Sequence, residues 1–251
     1  MVLGRQVGDR ALTFGVSGML RQSNLVMWDR ETESWWQQGT YEAIVGEMAG
    51  TRLEVFPAPQ ISWEDFKTAY PEGKTLSRES FPRYAARGIY GRNPYEGYDS
   101  ASSPFLFREK VDHRLQAMER VVAIKGKART IAYPYSALAG KRVLYDKMDG
   151  QEFVILFRPE TRSALDADEV RSGRPIGSAG VFVPQVQGRR LTLEPSPDGL
   201  FRDRETGSQW NVFGVALQGP LKGQRLPPLF HDSPFWFYWA ALFPNTEVYK
   251  P

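Results

Sequence analysis

Apolar and polar residues alternate in short runs along most of this chain, the pattern of strands that bury one face. Leu12–Val16 and Leu25–Trp28 read as two strands around a polar turn at Arg21–Asn24. Asp29–Ser34 is a second turn, where Asp and Ser side chains can bond their own backbone, and Trp35–Gln38 continues as a strand. Thr51–Phe56 alternates as a half-buried strand should. Ser62-Trp63-Glu64-Asp65-Phe66 opens a helix, with Ser62 as cap and Asp65 three residues on, and Pro71-Glu72-Gly73 ends it. Further along, Val121–Ile124 and Ala128–Tyr133 predict a hairpin around Lys125-Gly126-Lys127. Val143–Tyr145 and Phe153–Phe157 flank Asp149-Gly150, a strong hairpin signal because both positions tolerate positive φ. Ser233-Pro234 is expected to start a final aromatic helix, with Ser233 as cap and Pro234 at the first helical position.

Part of this pattern occurs twice. Asp29-Arg30-Glu31-Thr32-Glu33-Ser34-Trp35-Trp36 returns as Asp203-Arg204-Glu205-Thr206-Gly207-Ser208-Gln209-Trp210, with six of eight positions identical, which argues against chance. Gly46, Gly50, Arg52, Leu53, Trp63 and Pro71 recur as Gly219, Gly223, Arg225, Leu226, Trp236 and Pro244 at one offset of 173. Upstream, Val7, Arg10, Leu12 and Thr13 match Val186, Arg189, Leu191 and Thr192. Such self-similarity reads as tandem duplication. The expected fold is mainly β with a few short helices: two related β-rich units packed together, whose core could form one continuous sheet or a barrel-like shape. Residues 1–77 make the first unit, 78–118 an insert, and 119–251 the second unit. Strand-rich sequence over Val121–Gly180 precedes the shared part of the second unit, so the first unit is expected to lack its N-terminal half. Trp36 and Trp210, and Trp63 and Trp236, are repeat-equivalent pairs and are expected in the core.

Composition sharpens this picture at few points. With 15 Phe, 11 Tyr and 7 Trp the chain can bury a substantial core, and 23 Gly with 18 Pro favour short strands over long helices. The net charge of +3 is interspersed with acids, with no basic run of the kind that binds nucleic acid. Having no cysteine, the chain can build no disulfide, thiolate metal site or Cys nucleophile. The aromatic run Phe235–Phe243 is too short to span a bilayer. Met1–Gln6 contains no apolar signal-peptide region. The compartment stays open: extracytoplasmic if a leader precedes this sequence, cytoplasmic otherwise.

Candidate chemistry is sparse. His113 lies in a charged, exposed stretch; His231 stands beside Asp232 and Ser233 and has no histidine at the repeat-equivalent position. Ser233, His231 and Asp232 can be written as a triad, but adjacent residues rarely face one another in that geometry, and no G-x-S-x-G elbow occurs. Two distant histidines build no zinc site, so no metal and no cofactor is expected. Asp166-Ala167-Asp168-Glu169 reads as an acidic helix start rather than a cation loop. Gly46–Gly50 and Gly219–Gly223 occur in both copies and read as turn glycines rather than a phosphate cradle. The richest surface set is the loop Tyr90–Asp99: Tyr90, Arg92, Asn93, Tyr95 and Tyr98 combine flat faces with hydrogen-bonding forks. With His231 these are the candidate ligand-binding residues, expected around a pocket between the units. The bland alternative is a loop that staples the units together.

The run Leu12–Leu20, with Asp29–Thr32, Trp36-Gln37-Gln38, Gly46–Leu53, Tyr90–Tyr95 and the terminal Gly219-Pro220-Leu221, His231 and Phe235–Ala240, resembles the domain of unknown function 3179 family over nearly the whole chain. The resemblance implies no established activity. It implies that fuller members carry, ahead of the first repeat, a segment with a Cys-Pro-x-Cys-like motif, often behind an export or lipoprotein-type leader. This chain holds no such motif, which leaves a metal or redox role without its residues. The functional expectation is a non-catalytic ligand-binding or assembly module whose partner is a small molecule, glycan or protein. The alternative is an enzyme or redox accessory protein whose key residues lie in that N-terminal segment or around His231.

Overall fold

Strands dominate the computed structural model, which describes residues 2–80, 82–83 and 88–251. Two four-stranded antiparallel meanders form its framework. The first runs Phe14–Arg21, Asn24–Asp29, Trp35–Gln37 and Glu42–Val45. The second runs Leu193–Pro195, Phe201–Asp203, Gln209–Trp210 and Ala216–Gln218. Strand order follows chain order in both, because short turns can join only antiparallel neighbours. Gln22 and Ser23, at φ 53° and 58°, make the tight turn between the first two strands. Between the meanders in sequence lie the hairpin Gln185–Val186 with Arg189–Arg190 and most strands of two three-stranded sheets. Val143–Met148, Gln151–Arg158 and Ser178–Phe182 pair antiparallel. Val121–Lys125 pairs with Thr130–Pro134, which takes Glu247–Val248 in parallel on its other edge. The expected hairpins at Lys125–Lys127 and Asp149-Gly150 are present, with Asp149 and Gly150 at φ 49° and 85°.

Each meander carries the same set of side-chain bonds. Asp29 Oδ2 accepts from Trp36 Nε1 at 2.8 Å, and Asp203 Oδ2 from Trp210 Nε1 at 2.8 Å. The same two carboxylates accept from the backbone N–H of Thr32 and Thr206, each at 2.6 Å. Glu31 and Glu205 take the N–H of Thr13 and Thr192. Ser34 and Ser208 accept from Met48 and Leu221, each at 3.0 Å. Gly46 and Gly219 sit over those serines at φ 99° and 89°, where a Cβ would strike the Ser34 or Ser208 backbone. These glycines are therefore demanded by the turn.

Three helices complete the described fold: α1 (Trp63–Ala69), α2 (Tyr135–Lys141) and α3 (Trp236–Leu242). Ser62 caps α1 as expected, accepting from Asp65 N at 3.0 Å and donating to the Asp65 carboxylate at 2.6 Å. Helix α3 starts later than its sequence suggests. Asp232 and Pro234 pair with strand Val121–Lys125 instead: Asp232 O accepts from Ala123 N at 2.8 Å and Pro234 O from Val121 N at 3.1 Å. Phe235 becomes the cap residue, with no side-chain bond, and the first helical N–H groups go to Glu119 O and Ala117 O. Strand pairing overrides the Ser-Pro start signal. Of Thr51–Phe56 only Val55–Phe56 forms a strand, while Arg52 makes an isolated bridge to Glu42, with Ala43 N bonded to Thr51 O and Leu53 N to Tyr41 O.

The core is divided. Four apolar clusters lie among the described residues, and the one formed by the N-terminal part is small: Leu12, Trp36, Ala43 and Leu53. Among the described residues no sheet closes into a barrel and none joins residues 1–77 to residues 119–251, contrary to that expectation; each sheet has at most four strands. The burial expected for Trp63 also fails. Trp236 is 0% exposed and packs on Val121, Ala123 and Ala132, whereas Trp63 is 56% exposed. No hairpin lies over α1 among the described residues as Val121–Pro134 lies over α3. Instead α1 docks through Ala69, with Ile61 just ahead of it, on the cluster that holds Leu193, Phe201 and Trp210, and through buried Asp65 on Arg158.

Candidate functional site

A cleft of ≈ 720 Å³ opens where the end of the first meander meets the segment 230–239, the turn residues 161–165 and Tyr98. Its walls are largely apolar, including Phe56, Ile61, Leu165, Ile176, Phe230 and Phe235. Its polar groups come from distant parts of the chain. Asp232 on the lining accepts a hydrogen bond from Tyr41, which stands beside the cleft with its ring edge-on to Phe230 at 5.9 Å. Burial pushes the Asp232 carboxyl up, opposed by the Tyr41 bond. Burial likewise pushes up the Tyr41 and Tyr238 phenols, the nearby Asp232 charge adding to it. Tyr238 stands against Gly39, where any Cβ would overlap its hydroxyl, and that hydroxyl nears Gln37 without a hydrogen bond of good geometry.

Arg120 enters from the residue before strand Val121–Lys125. Its guanidinium lies over the Phe235 ring, 4.4 Å from the centroid, and its nearest carboxylate oxygen is Asp99 Oδ2 at 3.9 Å. The side chain is 13% exposed, and its buried Nε has no partner. Tyr135 stands beside it; burial pushes that phenol up, opposed by a hydrogen bond with Ser233 and by the Arg120 charge.

The structure brings two of the sequence candidates to this cleft, Tyr98 and His231. Tyr98 packs against Phe235 with ring centroids 5.9 Å apart. His231 is spent on backbone: Nδ1 lies 3.1 Å from Leu229 O, and Ala179 provides a second backbone bond. Burial pushes the imidazole below its ordinary range, opposed by those carbonyls. Ser233, His231 and Asp232 thus turn to Tyr135, the backbone and Tyr41 respectively, and form no triad. Asn93, 6% exposed, donates to Ala167 O at 3.2 Å and accepts from Tyr95 N at 2.8 Å, and Arg92 pairs with Asp168. Tyr90 and Tyr95 are exposed and lie outside the lining of the cleft. The acidic run 166–169 holds this loop: Asp168 O and Asp166 O accept from Asn93 N and Gly97 N, each at 2.7 Å. It opens only a three-residue 3-10 turn, Val170–Ser172. Arg120, Tyr135 and Tyr238 on the lining, and Tyr41 beside it, escaped the sequence reading. Asp232, seen beside His231, was the one local signal; Tyr41 meets it across 191 positions.

The molecule is thus a mainly β protein with a cleft lined by residues from distant parts of the chain. Among the described residues no group of His, Cys, Asp and Glu is placed to hold a metal ion, and no helix is long and apolar enough to cross a membrane. The family model described as Protein of unknown function (DUF3179) matches residues 1–246, and the chain belongs to that family. No curated protein and no solved structure matches it.

Proposed function

We propose that this protein is a non-catalytic binding module, two tandem-duplicated units holding a small molecule in the cleft between them. The observation that carries the reading is the Arg120 guanidinium on the cleft wall, mostly buried and without a hydrogen bond among the described residues. An unpaired buried polar group costs about 1–3 kcal/mol, so a ligand supplying its partner recovers that energy. The apolar walls and the volume suit a small organic body. The duplication is supported by the matching Asp–Trp, Asp–Thr, Glu–Thr and Ser bonds of the two meanders. Catalysis at residues 231–233 finds no support in their geometry, since each side chain faces a separate partner.

Ligand-observed NMR with a fragment set tests the reading. Fragments are expected to bind the wild type and to be lost in Ala164→Trp, which fills an exposed position of the lining. Absence of hits, or hits indifferent to that substitution, overturns it.

A further inference from the structure

We infer that the cleft selects a monoanion, a carboxylate on a flat apolar body, with Arg120 as its anchor. The inference rests on the cleft being the binding site and adds the class of ligand. A guanidinium offers five N–H donors in a planar fork that matches a carboxylate. Arg120 makes no hydrogen bond with them among the described residues, and the nearby carboxylate is already engaged. Asp99 Oδ1 accepts from Arg174 Nη1 at 2.9 Å, its Oδ2 accepts from Ser163, and its backbone oxygen accepts from Arg174 Nη2 at 3.2 Å. Arg174 completes its own pairing on Asp166 at 2.8 Å. The fork is therefore held by the Phe235 ring with its donors unspent. Arg162, the other cation on the lining, is exposed and gives Nη1 to Gly173 O.

Charge number and shape follow from the same surroundings. One guanidinium neutralises one negative charge. A second charge on the ligand would be repelled by Asp99 and, when ionised, by Asp232, which disfavours phosphate. Phe235, Tyr98 and Ile176 line the cleft with Arg120 and offer flat apolar contact to whatever the carboxylate carries.

Calorimetric titration with phenylacetate, its uncharged amide phenylacetamide, and inorganic phosphate tests the assignment on the intact chain. Phenylacetate is expected to bind at least about tenfold more tightly than the amide, the size of a charge-assisted hydrogen bond. R120Q should remove that preference while leaving amide binding in place, and R120K should restore part of it. Acid and amide binding alike, or phosphate binding more tightly than phenylacetate, overturns the assignment; so does R120Q weakening both ligands equally. If R120Q does not fold, the acid–amide comparison on the wild type decides alone. Failure of phenylacetate while other fragments still bind in an Ala164→Trp-sensitive way sinks the anion assignment and leaves the cleft reading standing. Failure of every ligand sinks both.

Discussion

Asp29 and Asp203 are fully buried carboxylates, each wired to an indole N–H and a backbone N–H inside its own turn. Burial pushes Asp29 up, but hydrogen bonds from Trp36, Thr32 and Ser34 outweigh it and hold the group below the usual carboxylate range. A depressed folded value means that the contribution is complete above the unfolded pKa of about 4 and is lost as pH falls through the folded value. Asp29→Asn should therefore cost about 1–3 kcal/mol at pH 7 in urea unfolding, the size of a hydrogen bond to a charged group. The gap to wild type should shrink below about pH 4; a gap constant from pH 7 to 3 would contradict this account. Trp36 and Trp210 are each 0% exposed, and replacing either with Ala should cost about 3–5 kcal/mol by the same measurement.

Helices α1 and α3 share a seven-residue length and a tryptophan at the first position, yet they meet different surroundings. Trp236→Ala opens a cavity beneath the Val121–Pro134 hairpin and should cost about 3–5 kcal/mol. Trp63, 56% exposed and stacked on Phe66 at 5.5 Å, loses little when truncated. Its Ala variant should lie within about 1 kcal/mol of wild type, and a larger loss in a paired denaturation series would show that α1 closes a core after all. Ser62→Ala removes a reciprocal cap and should cost about 1 kcal/mol, which helical hydrogen exchange over Trp63–Ala69 can localise.

Gly39 packs directly against Tyr238, so that a Cβ on Gly39 would overlap the Tyr238 hydroxyl oxygen. Gly39→Ala places a methyl group where the Tyr238 hydroxyl stands, so one of the two must move. A loss of about 1–3 kcal/mol is expected from overpacking. Tyr238→Phe in the same chain should recover part of it, giving a coupling energy above about 0.5 kcal/mol in a double-mutant cycle. Purely additive effects would mean that Gly39 and Tyr238 do not touch in solution.

Short-range chemistry was legible in the chain. The turns at Gln22-Ser23 and Asp149-Gly150, the Ser62 cap and the repeated Asp-Arg-Glu-Thr segment depend on residues within about a dozen positions of one another. Their geometry follows from φ preferences and from side chains that bond their own backbone. The mainly β class was legible for the same reason. Where α3 begins was not, because strand Val121–Lys125 claims Asp232 and Pro234 from 109 or more positions away. The exposure of Trp63 was not, because a helix does not encode whether a hairpin will cover it. Most of the cleft was also beyond local reading. Tyr98 and His231 were visible as unusual residues, but Arg120 resembles any surface arginine until folding sets Phe235 beneath it and leaves its donors unspent. Contacts between residues far apart in sequence carry no local periodicity, and burial is a property of the assembled molecule rather than of any segment.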